Sequence, residues 1–504
     1  MSFCSIRWVE EYLSYVLPVG TSVAATPKPY RLGGSVPVAR TSRVSSVMRA
    51  AVSSDPNQDE TMSVSAAVRG LLQQRRSTLL TALFLVVGTL ILVTSVVVRF
   101  PDLSTYDESA HLDYVWRAER HEVPRMGEFI GPEVVGASLC RGVVAVRPPD
   151  CRGSGYQRPS RIGADGYQYE AQQPPTYYFV TGALRRLVAF GPSDDFVLTA
   201  RLTGVVWLLS GLVVLWLALA RLRVRPAGAA TILAIALLSP TVIYHSATVS
   251  NDAAVLLLGA LTIHFLLAAR RAVTGGALLG WSLLGAVAVW TKPQVLVAIA
   301  TMALVALLIR RRPSWRPVRD DLWLLPVAVS GMAYLAWGAL VNARAIVDPA
   351  VVTHALLSFK EVSQFPGEDL IAQLVGLVIA YSGPTPLRTS FVGAFGTLMV
   401  YTVVAADLRA VLNAARSSVV ALAGWLSLIA VVVAGPVYTA VFFFEWRIGG
   451  GPSPRYALVL LPGMLLGLVE PVEHRKARLW LLMVLIGLGG ALAVLIINPS
   501  LRII

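Results

Sequence analysis

Charged residues are scarce in this chain. Asp, Glu, Lys and Arg account for 14% of its 504 residues, whereas 55% of the residues are hydrophobic. The mean hydropathy is +0.65. In an ordinary soluble domain about a quarter of the residues are charged, so this balance excludes that class. The composition therefore predicts an integral membrane protein before any motif is considered.

Motifs for soluble cofactors are also lacking. The sequence contains no P-loop of the form GxxxxGK[ST], no glycine fingerprint for dinucleotides after a strand, and no HExxH or paired CxxC motif. The glycines at 449–451 indicate only a flexible loop. These absences disfavour a soluble nucleotide-linked substrate, and a substrate that arrives within the bilayer fits better.

Positive charge exceeds negative charge, with 43 Lys and Arg against 29 Asp and Glu and a formal net charge of +14. The basic residues cluster at the ends of apolar runs, at 75–76, 221–225, 270–271, 310–312 and 474–476. Such clusters mark the cytoplasmic ends of membrane helices by the positive-inside rule. We therefore interpret them as topology signals and expect no nucleic-acid partner.

The N-terminal region, residues 1–77, has no sustained apolar span and is predicted to be a flexible cytoplasmic tail. Met48 and Met62 are alternative translation starts, which would leave residues 1–47 or 1–61 untranslated. The region lacks the apolar core and cleavage site of a signal peptide. Residues 78–504 are predicted to form one transmembrane domain.

Hydropathy predicts an all-α polytopic protein of the cytoplasmic (inner) membrane with about eleven transmembrane helices. The predicted spans cover 78–98, 202–220, 227–244, 253–269, 276–291, 294–310, 322–341, 391–406, 417–437, 456–470 and 479–497. The apolar segment 370–381 is interpreted as re-entrant, because a full crossing would place Arg409 and Arg416 outside. This topology puts 407–416 in the cytoplasm and a long first loop, 100–198, outside.

Cys140 and Cys151 both lie in this long loop, where oxidation is permitted. We expect a disulfide between them, which would restrict the loop in its unfolded state. Two free thiols are the alternative. Cys4 has no evident partner.

Acidic and polar side chains collect at the predicted outer ends of spans. Asp107 and Glu108 follow the first span, with His111 beside them, and a carboxylate at this boundary is suited to act as a general base. The alternative is the first turn of a helix capped by Ser104 or Thr105.

Two further polar motifs are predicted on the same side. The segment 170–178, EAQQPPTYY, places Gln173, Tyr177 and Tyr178 around a rigid Pro-Pro bend. The segment 250–252 brings Asn251 and Asp252. The tyrosines are also typical of an aromatic belt, and Asn251-Asp252 of a turn with a helix cap.

Several basic residues, unusually, fall on the outer side. They are Arg201, His245, Lys292, Arg447 and Arg455. Arg binds phosphate through paired N–H groups and Lys binds it as a point charge, so a lipid phosphate would explain this placement. Pairing with nearby carboxylates or lipid headgroups is the alternative.

The order of these motifs resembles the GT-C class of membrane glycosyltransferases, which includes protein O-mannosyltransferases and lipid A aminoarabinose transferases. The resemblance is carried by DE at 107–108, the long first loop, QPPTYY at 173–178, ARL at 200–202 and SND at 250–252. Three motifs are similar to a related, uncharacterised bacterial membrane family: DESAH at 107–111, SFVGAFG at 390–396 and RYAL at 455–458.

The resemblance implies transfer of a sugar from a polyprenyl-phosphate donor to an acceptor in the cell envelope, a glycan, lipid or protein. Asp107 would accept the proton of the acceptor hydroxyl, with Glu108 beside it, while Lys292, Arg201 or Arg455 stabilises the departing lipid phosphate. A divalent cation held by Asp107, Glu108 and Asp252 is left open. The sugar and the acceptor are not indicated by the sequence.

Two other functions stay open at this point. A transporter or flippase of a lipid-linked glycan would also place polar groups within the membrane. Against it, the sequence shows no repeated halves, and its polar residues gather on one side. A non-catalytic assembly subunit is the other alternative, which retention of the acidic pair disfavours.

Overall fold

The structure, a computed structural model, describes residues 56–104, 107–143, 164–189, 195–268, 275–309, 324–357, 402–408, 419–447 and 454–473. This part of the chain is mostly helical and contains no strand. Two isolated bridges occur, between Leu103 and Val143 and between Phe129 and Tyr167. The helical class predicted from the composition is thus confirmed for the described residues.

The α-helices are numbered in chain order. They are α1 (Pro56–Arg99), α2 (Glu108–Ala118), α3 (Pro132–Arg141), α4 (Thr176–Val188), α5 (Phe196–Leu202), α6 (Gly204–Arg221), α7 (Pro226–Leu238), α8 (Pro240–Ser246), α9 (Val255–Ala268), α10 (Gly275–Val289), α11 (Val295–Ile309), α12 (Leu325–Arg344), α13 (Pro349–Leu357), α14 (Val419–Trp446), α15 (Leu461–Leu465) and α16 (Val469–Glu473). A further helical segment covers 402–408. Short 3₁₀ helices cover Ala164–Gly166, Tyr169–Gln172, Asn251–Ala254, Pro454–Leu460 and Leu466–Leu468.

Five described helical stretches are long and apolar enough to cross a membrane. They are Thr78–Arg99, Phe196–Arg221, Leu325–Arg344, Val419–Phe444 and Arg455–Glu473. A sixth is obtained if α7 and α8, which meet at a 64° bend, count as one span. The bend falls at Ser239-Pro240, since proline cannot donate the backbone hydrogen bond that would continue α7. The protein is therefore a helical membrane protein.

The predicted number of about eleven spans goes beyond these helices. Three shorter apolar helices, Asn251–Leu267, Gly275–Val289 and Val295–Ile309, lie where three further spans were predicted. The predicted spans 391–406 and 479–497 lie mostly or wholly outside the described residues, as does the segment 370–381. The full number stays a prediction.

The apolar part of α1 has two different faces. Leu85, Leu92 and Val96 are buried against the rest of the protein, whereas Leu83 and Leu90 are exposed. The buried positions recur at about the helical period, so one stripe packs on the bundle. The exposed leucines on the other face are suited to contact lipid.

The segment 100–198, predicted as a long loop, contains three of the helices, α2, α3 and α4. The buried carboxylate of Asp113 holds part of it together, because it accepts hydrogen bonds from Arg117 Nε at 2.8 Å, Gln168 Nε2 at 2.7 Å and the backbone N–H of Gly131 at 2.8 Å. A buried charge with three donors is well compensated.

Close helix contacts bring two distant segments together. Gly211 on α6 packs against the backbone of Leu257, and Gly259 on α9 packs against the backbone of Val459 and the ring of Pro462. A side chain at either glycine would collide with this backbone, so the absence of Cβ permits the approach. The start of α9 is thereby placed beside the 3₁₀ helix Pro454–Leu460.

The last described segment, Arg455–Glu473, has charged groups at both ends. At its C-terminal end, Glu473 accepts a hydrogen bond from the backbone N–H of Arg225 at 2.6 Å and pairs with the Arg225 guanidinium at 3.4 Å. This contact ties the end of the segment to the basic turn between α6 and α7. At its other end, Arg455 contacts the carboxylates of Asp107 and Asp252.

Candidate functional site

Asp107 lies directly before α2, with its backbone in the left-handed region at φ 63°. Its side chain does not cap the helix. Instead Oδ2 accepts a hydrogen bond from Arg455 Nη2 at 2.6 Å, and Oδ1 accepts one from the Tyr169 hydroxyl at 3.1 Å. The side chain is 26% exposed, so it remains accessible to a ligand.

A second carboxylate, that of Asp252, is fully buried and also contacts Arg455. Its Oδ2 is 3.2 Å from Arg455 Nε, and its Oδ1 is 2.6 Å from Lys292 Nζ. We call Asp107, Arg455, Asp252 and Lys292 the ion-pair chain. Its four members come from four distant parts of the sequence, and the two cations are matched by two carboxylates.

The ion-pair chain continues into neutral groups. Lys292 donates a hydrogen bond to Asn251 Oδ1 at 2.6 Å, and Asn251 Nδ2 donates one to Gln173 Oε1 at 3.0 Å. Lys292 Nζ lies 5.2 Å from the ring centre of Tyr456, over which Arg455 Cζ also lies, at 5.6 Å. These contacts fix both cations.

The turns in which these residues lie explain their placement. Ser250 caps the 3₁₀ helix Asn251–Ala254, since its side chain accepts a hydrogen bond from the backbone N–H of Asp252. The sequence left a turn with a helix cap as the alternative for Asn251-Asp252, but the capping side chain is that of Ser250. Because Ser250 supplies the cap, the side chains of Asn251 and Asp252 are available for Lys292.

Glu170 is a site residue that the sequence analysis missed. It is buried, and its Oε2 lies 3.6 Å from His111 Nδ1 and 3.5 Å from the Tyr178 hydroxyl. His111 and Tyr178 share a hydrogen bond of 2.8 Å, and the ring of Tyr178 stacks on that of Tyr114. Glu170 stands three residues before Gln173, so its position beside the QPPTYY motif was the signal available.

The acidic groups of the site differ in protonation. Burial acts to raise the pKa of Asp107, but the charge of Arg455, the charge interaction with His111 and the hydrogen bonds from Arg455 and Tyr169 together hold that pKa below its ordinary value. Burial, together with the negative charge of Asp107, raises the pKa of Glu170 to about 8. Burial lowers the pKa of His111 to about 3. Near neutral pH, Asp107 is ionised while Glu170 and His111 are mainly neutral.

Glu108 and Arg201 pair with each other rather than with the ion-pair chain. Arg201 donates to both carboxylate oxygens of Glu108, at 2.7 and 2.8 Å, and also to the backbone carbonyls of Phe100 and Asp102. Glu108 also accepts hydrogen bonds from the backbone N–H groups of Ser104 at 2.7 Å and Val249 at 3.0 Å. Both side chains are almost completely buried, so this pair connects three chain segments next to Asp107.

Three other predicted residues pack mainly against aromatic rings. Tyr177 is buried and stacks on Trp207 at a centroid distance of 5.4 Å. His245 is buried at the end of α8, edge-on to Tyr244. The guanidinium of Arg447 lies over the ring of Phe443 at 5.0 Å.

The predicted disulfide falls partly outside the described residues. Cys140 is disulfide-bonded, and it lies near the end of α3. Cys151 lies outside the described residues, so the pairing of the two stays a prediction.

The carboxylates named for a divalent cation face cations of the protein. Asp107 and Asp252 contact Arg455, and Glu108 contacts Arg201. Among the described residues, no group of three His, Cys, Asp or Glu side chains is arranged to hold a metal ion.

A small apolar cleft lies beside the ion-pair chain. Tyr456, which lies under both cations, is part of its lining, together with Gln294, Tyr438 and aliphatic side chains of α11 and α14. The site thus combines buried cations, an ionised carboxylate, a neutral acid and an adjacent apolar surface. Chemically, it can bind an anionic group attached to an apolar chain and accept a proton nearby.

Comparison of the sequence with models of protein families and with curated proteins finds no match.

Proposed function

We propose that this protein is a GT-C class membrane glycosyltransferase, which transfers a sugar from a polyprenyl-phosphate donor to an acceptor hydroxyl on the outer face of the cytoplasmic membrane. The observation that carries the proposal is the ion-pair chain. Two cations and two carboxylates gather at the end of apolar helices, where unpaired charge is costly and a charged site needs a function. A phosphate receptor and a base are thereby available in one place.

The cations Arg455 and Lys292 are suited to bind the donor phosphate. Arg offers paired N–H donors to phosphate oxygens, and Lys adds a point charge. The apolar cleft beside Tyr456 supplies a surface on which a prenyl chain can lie next to that phosphate. This combination favours a lipid-linked donor over a soluble one.

Asp107 is the base in the proposed reaction. It accepts the proton of the acceptor hydroxyl while the hydroxyl oxygen forms a bond to the anomeric carbon of the sugar. The bond from that carbon to the phosphate oxygen breaks, and its electron pair leaves with the polyprenyl phosphate. Arg455 and Lys292 stabilise the negative charge on this leaving group. The configuration at the anomeric carbon is inverted.

Arg455 connects donor binding to the strength of the base. In the empty site it holds the carboxylate of Asp107 and keeps its pKa low, so Asp107 is a weak base. A donor phosphate competes for the same guanidinium, and its binding weakens this contact. The proton affinity of Asp107 then rises when the sugar is in place.

Glu170 has a different role because it is mainly neutral near pH 7. A protonated carboxyl can donate a hydrogen bond, which an ionised one cannot. Its neighbours His111 and Tyr178 are also neutral donors or acceptors. We assign this group to the hydroxyls of the transferred sugar.

The test is a donor assay on purified protein in lipid nanodiscs. A panel of labelled polyprenyl-phosphate sugars is offered with candidate acceptors, and both the released polyprenyl phosphate and the glycosylated product are measured. We expect one donor to be consumed by the wild type and by Glu122→Gln, which alters an exposed carboxylate. Asp107→Asn should not consume it.

Two results would contradict the proposal. One is that no donor of the panel is bound or consumed by the wild-type protein. The other is that proteoliposomes move a labelled lipid-linked glycan across the bilayer without cleaving it, since this is the behaviour of a flippase.

A further inference from the structure

A buried carboxylate without a partner lies far from the ion-pair chain. Asp407, in the helical segment 402–408, has no exposed surface, and neither of its carboxylate oxygens has a hydrogen-bond partner in the structure. Buried carboxylates are normally paired or hydrogen-bonded, as Asp113 and Asp252 are. Asp407 therefore needs a separate explanation.

The carboxyl group lies in a notch between two glycines. A Cβ on Gly424 of α14 or on Gly467 of the 3₁₀ helix Leu466–Leu468 would collide with Asp407 Oδ1. The Cβ position of Gly424 is also only 3.0 Å from the backbone nitrogen of Gly467, so the two elements touch each other here. The notch therefore fits the carboxyl closely.

Among the described residues, no charge of the two elements that form the notch compensates Asp407. The titratable residues of the two elements that form the notch are Tyr438 and Glu445 on α14, and Arg455, Tyr456, Glu470 and Glu473 on the last described segment. Glu470 is exposed and Glu473 pairs with Arg225, while Tyr438 is about four helical turns from Gly424. The segment 402–408 has no other titratable residue.

An isolated carboxylate ion in such a place costs far more free energy than a neutral acid. The smallest ligand that removes the charge is a proton, which also needs no additional space. We propose that Asp407 is a proton-binding site, and that the bound proton holds the segment 402–408 in the notch formed by Gly424 and Gly467. Release of the proton charges the carboxyl and drives it out of the notch.

This site is separate from the candidate functional site. Gly467 follows Arg455 by twelve residues along the last described segment, which corresponds to roughly 20 Å of helix. The proton site is thus nearer the end at which Glu473 meets Arg225. It does not rest on the proposed glycosyltransferase activity.

The first experiment is thermal unfolding of the purified protein in detergent, from about pH 5 to about pH 9. The carboxyl is neutral in the folded protein and ionised in water above about pH 4, so unfolding releases a proton. Stability should therefore fall as the pH rises. Relative to Asp407→Asn, whose amide keeps the shape but cannot ionise, we expect the wild-type midpoint to fall by about 1–2 °C per pH unit.

The second experiment detects the proton directly, by the infrared carbonyl band of a protonated carboxyl at pH 7. Asp407→Asn should lose a band that Glu170→Gln, which alters the other neutral acid, retains. Parallel midpoint curves for wild type and Asp407→Asn would overturn the proposal. If Asp407→Asn does not fold, the spectrum of Glu170→Gln tests the proposal by itself. The absence of any protonated-carboxyl band from this spectrum at pH 7 would also overturn the proposal.

Discussion

Removal of Glu108 should destabilise the protein, whatever it does to activity. Glu108 is completely buried and accepts four hydrogen bonds, two from Arg201 and one each from the backbone N–H groups of Ser104 and Val249. In Glu108→Ala the Arg201 guanidinium stays buried without its counter-ion, and two backbone donors lose their acceptor. We therefore expect a larger effect than for an ordinary substitution.

The magnitude follows from the burial of both partners. Loss of one member of a buried ion pair costs about 3–5 kcal/mol, because the remaining charge is uncompensated. For a chain of this size, this corresponds to a fall in the thermal midpoint of roughly 3–5 °C. The double variant Glu108→Leu with Arg201→Met removes both charges, so it should lose less than the sum of the two single variants.

The assay is thermal unfolding in detergent micelles, with turnover measured on the same preparations. Glu122→Ala is the matched control, since Glu122 is exposed and its side chain has no comparable contacts. If Glu108→Ala unfolded at the wild-type temperature and had nevertheless lost all turnover, the supporting role would be refuted. Glu108 would then act in the chemistry, as its position beside Asp107 first suggested.

The remaining predictions concern the site and the disulfide. Asp107→Asn should abolish turnover and leave donor binding largely intact, since an amide keeps the shape but cannot accept a proton; retained transfer would remove Asp107 as the base. Lys292→Ala should weaken donor binding at least tenfold in a direct binding measurement, because a cation facing the phosphate is lost; unchanged affinity would contradict this. Turnover should fall as the pH rises through about 8, where Glu170 ionises, and the pH–rate profile of Glu170→Gln should lack this decline. Mass spectrometry of non-reduced peptides should recover a Cys140–Cys151 linkage, and full recovery of both thiols in free form would exclude it.

Much of the site could be predicted from the sequence because charge is so rare in this chain. Asp107, Asp252, Lys292 and Arg455 are ionisable residues next to apolar runs, a position that is costly unless they meet partners. The structure brings all four together. The sequence indicated the membership of the cluster but not which residue contacts which.

The parts of the site that were not predicted depend on contacts between side chains that lie far apart in the sequence. The contact of Arg201 with Glu108 joins two helices and is invisible in either motif alone. No role was predicted for Glu170, because the neighbouring prolines and tyrosines form the stronger sequence pattern. Its contacts with His111 and Tyr178 are made only in the folded protein.

The fold was predictable to a similar degree. Long apolar runs identified the spanning helices, since a bilayer sets both their length and their composition. Of the short helices within 100–198, only the start of α2 was anticipated, as the alternative for Asp107 and Glu108. The helices α3 and α4 were not predicted, because with 10 and 13 residues they are too short to register as membrane spans. The bend at Pro240 was also not anticipated, although proline is a common cause of such breaks.

The ion-pair chain has a consequence for biosynthesis. Asp107 and its partner Arg455 are separated by 348 residues, so the carboxylate leaves the ribosome long before the guanidinium that compensates it. During this interval Asp107 lacks the cation that it contacts in the folded protein. The ion-pair chain can therefore form completely only when nearly the whole polypeptide has been synthesised.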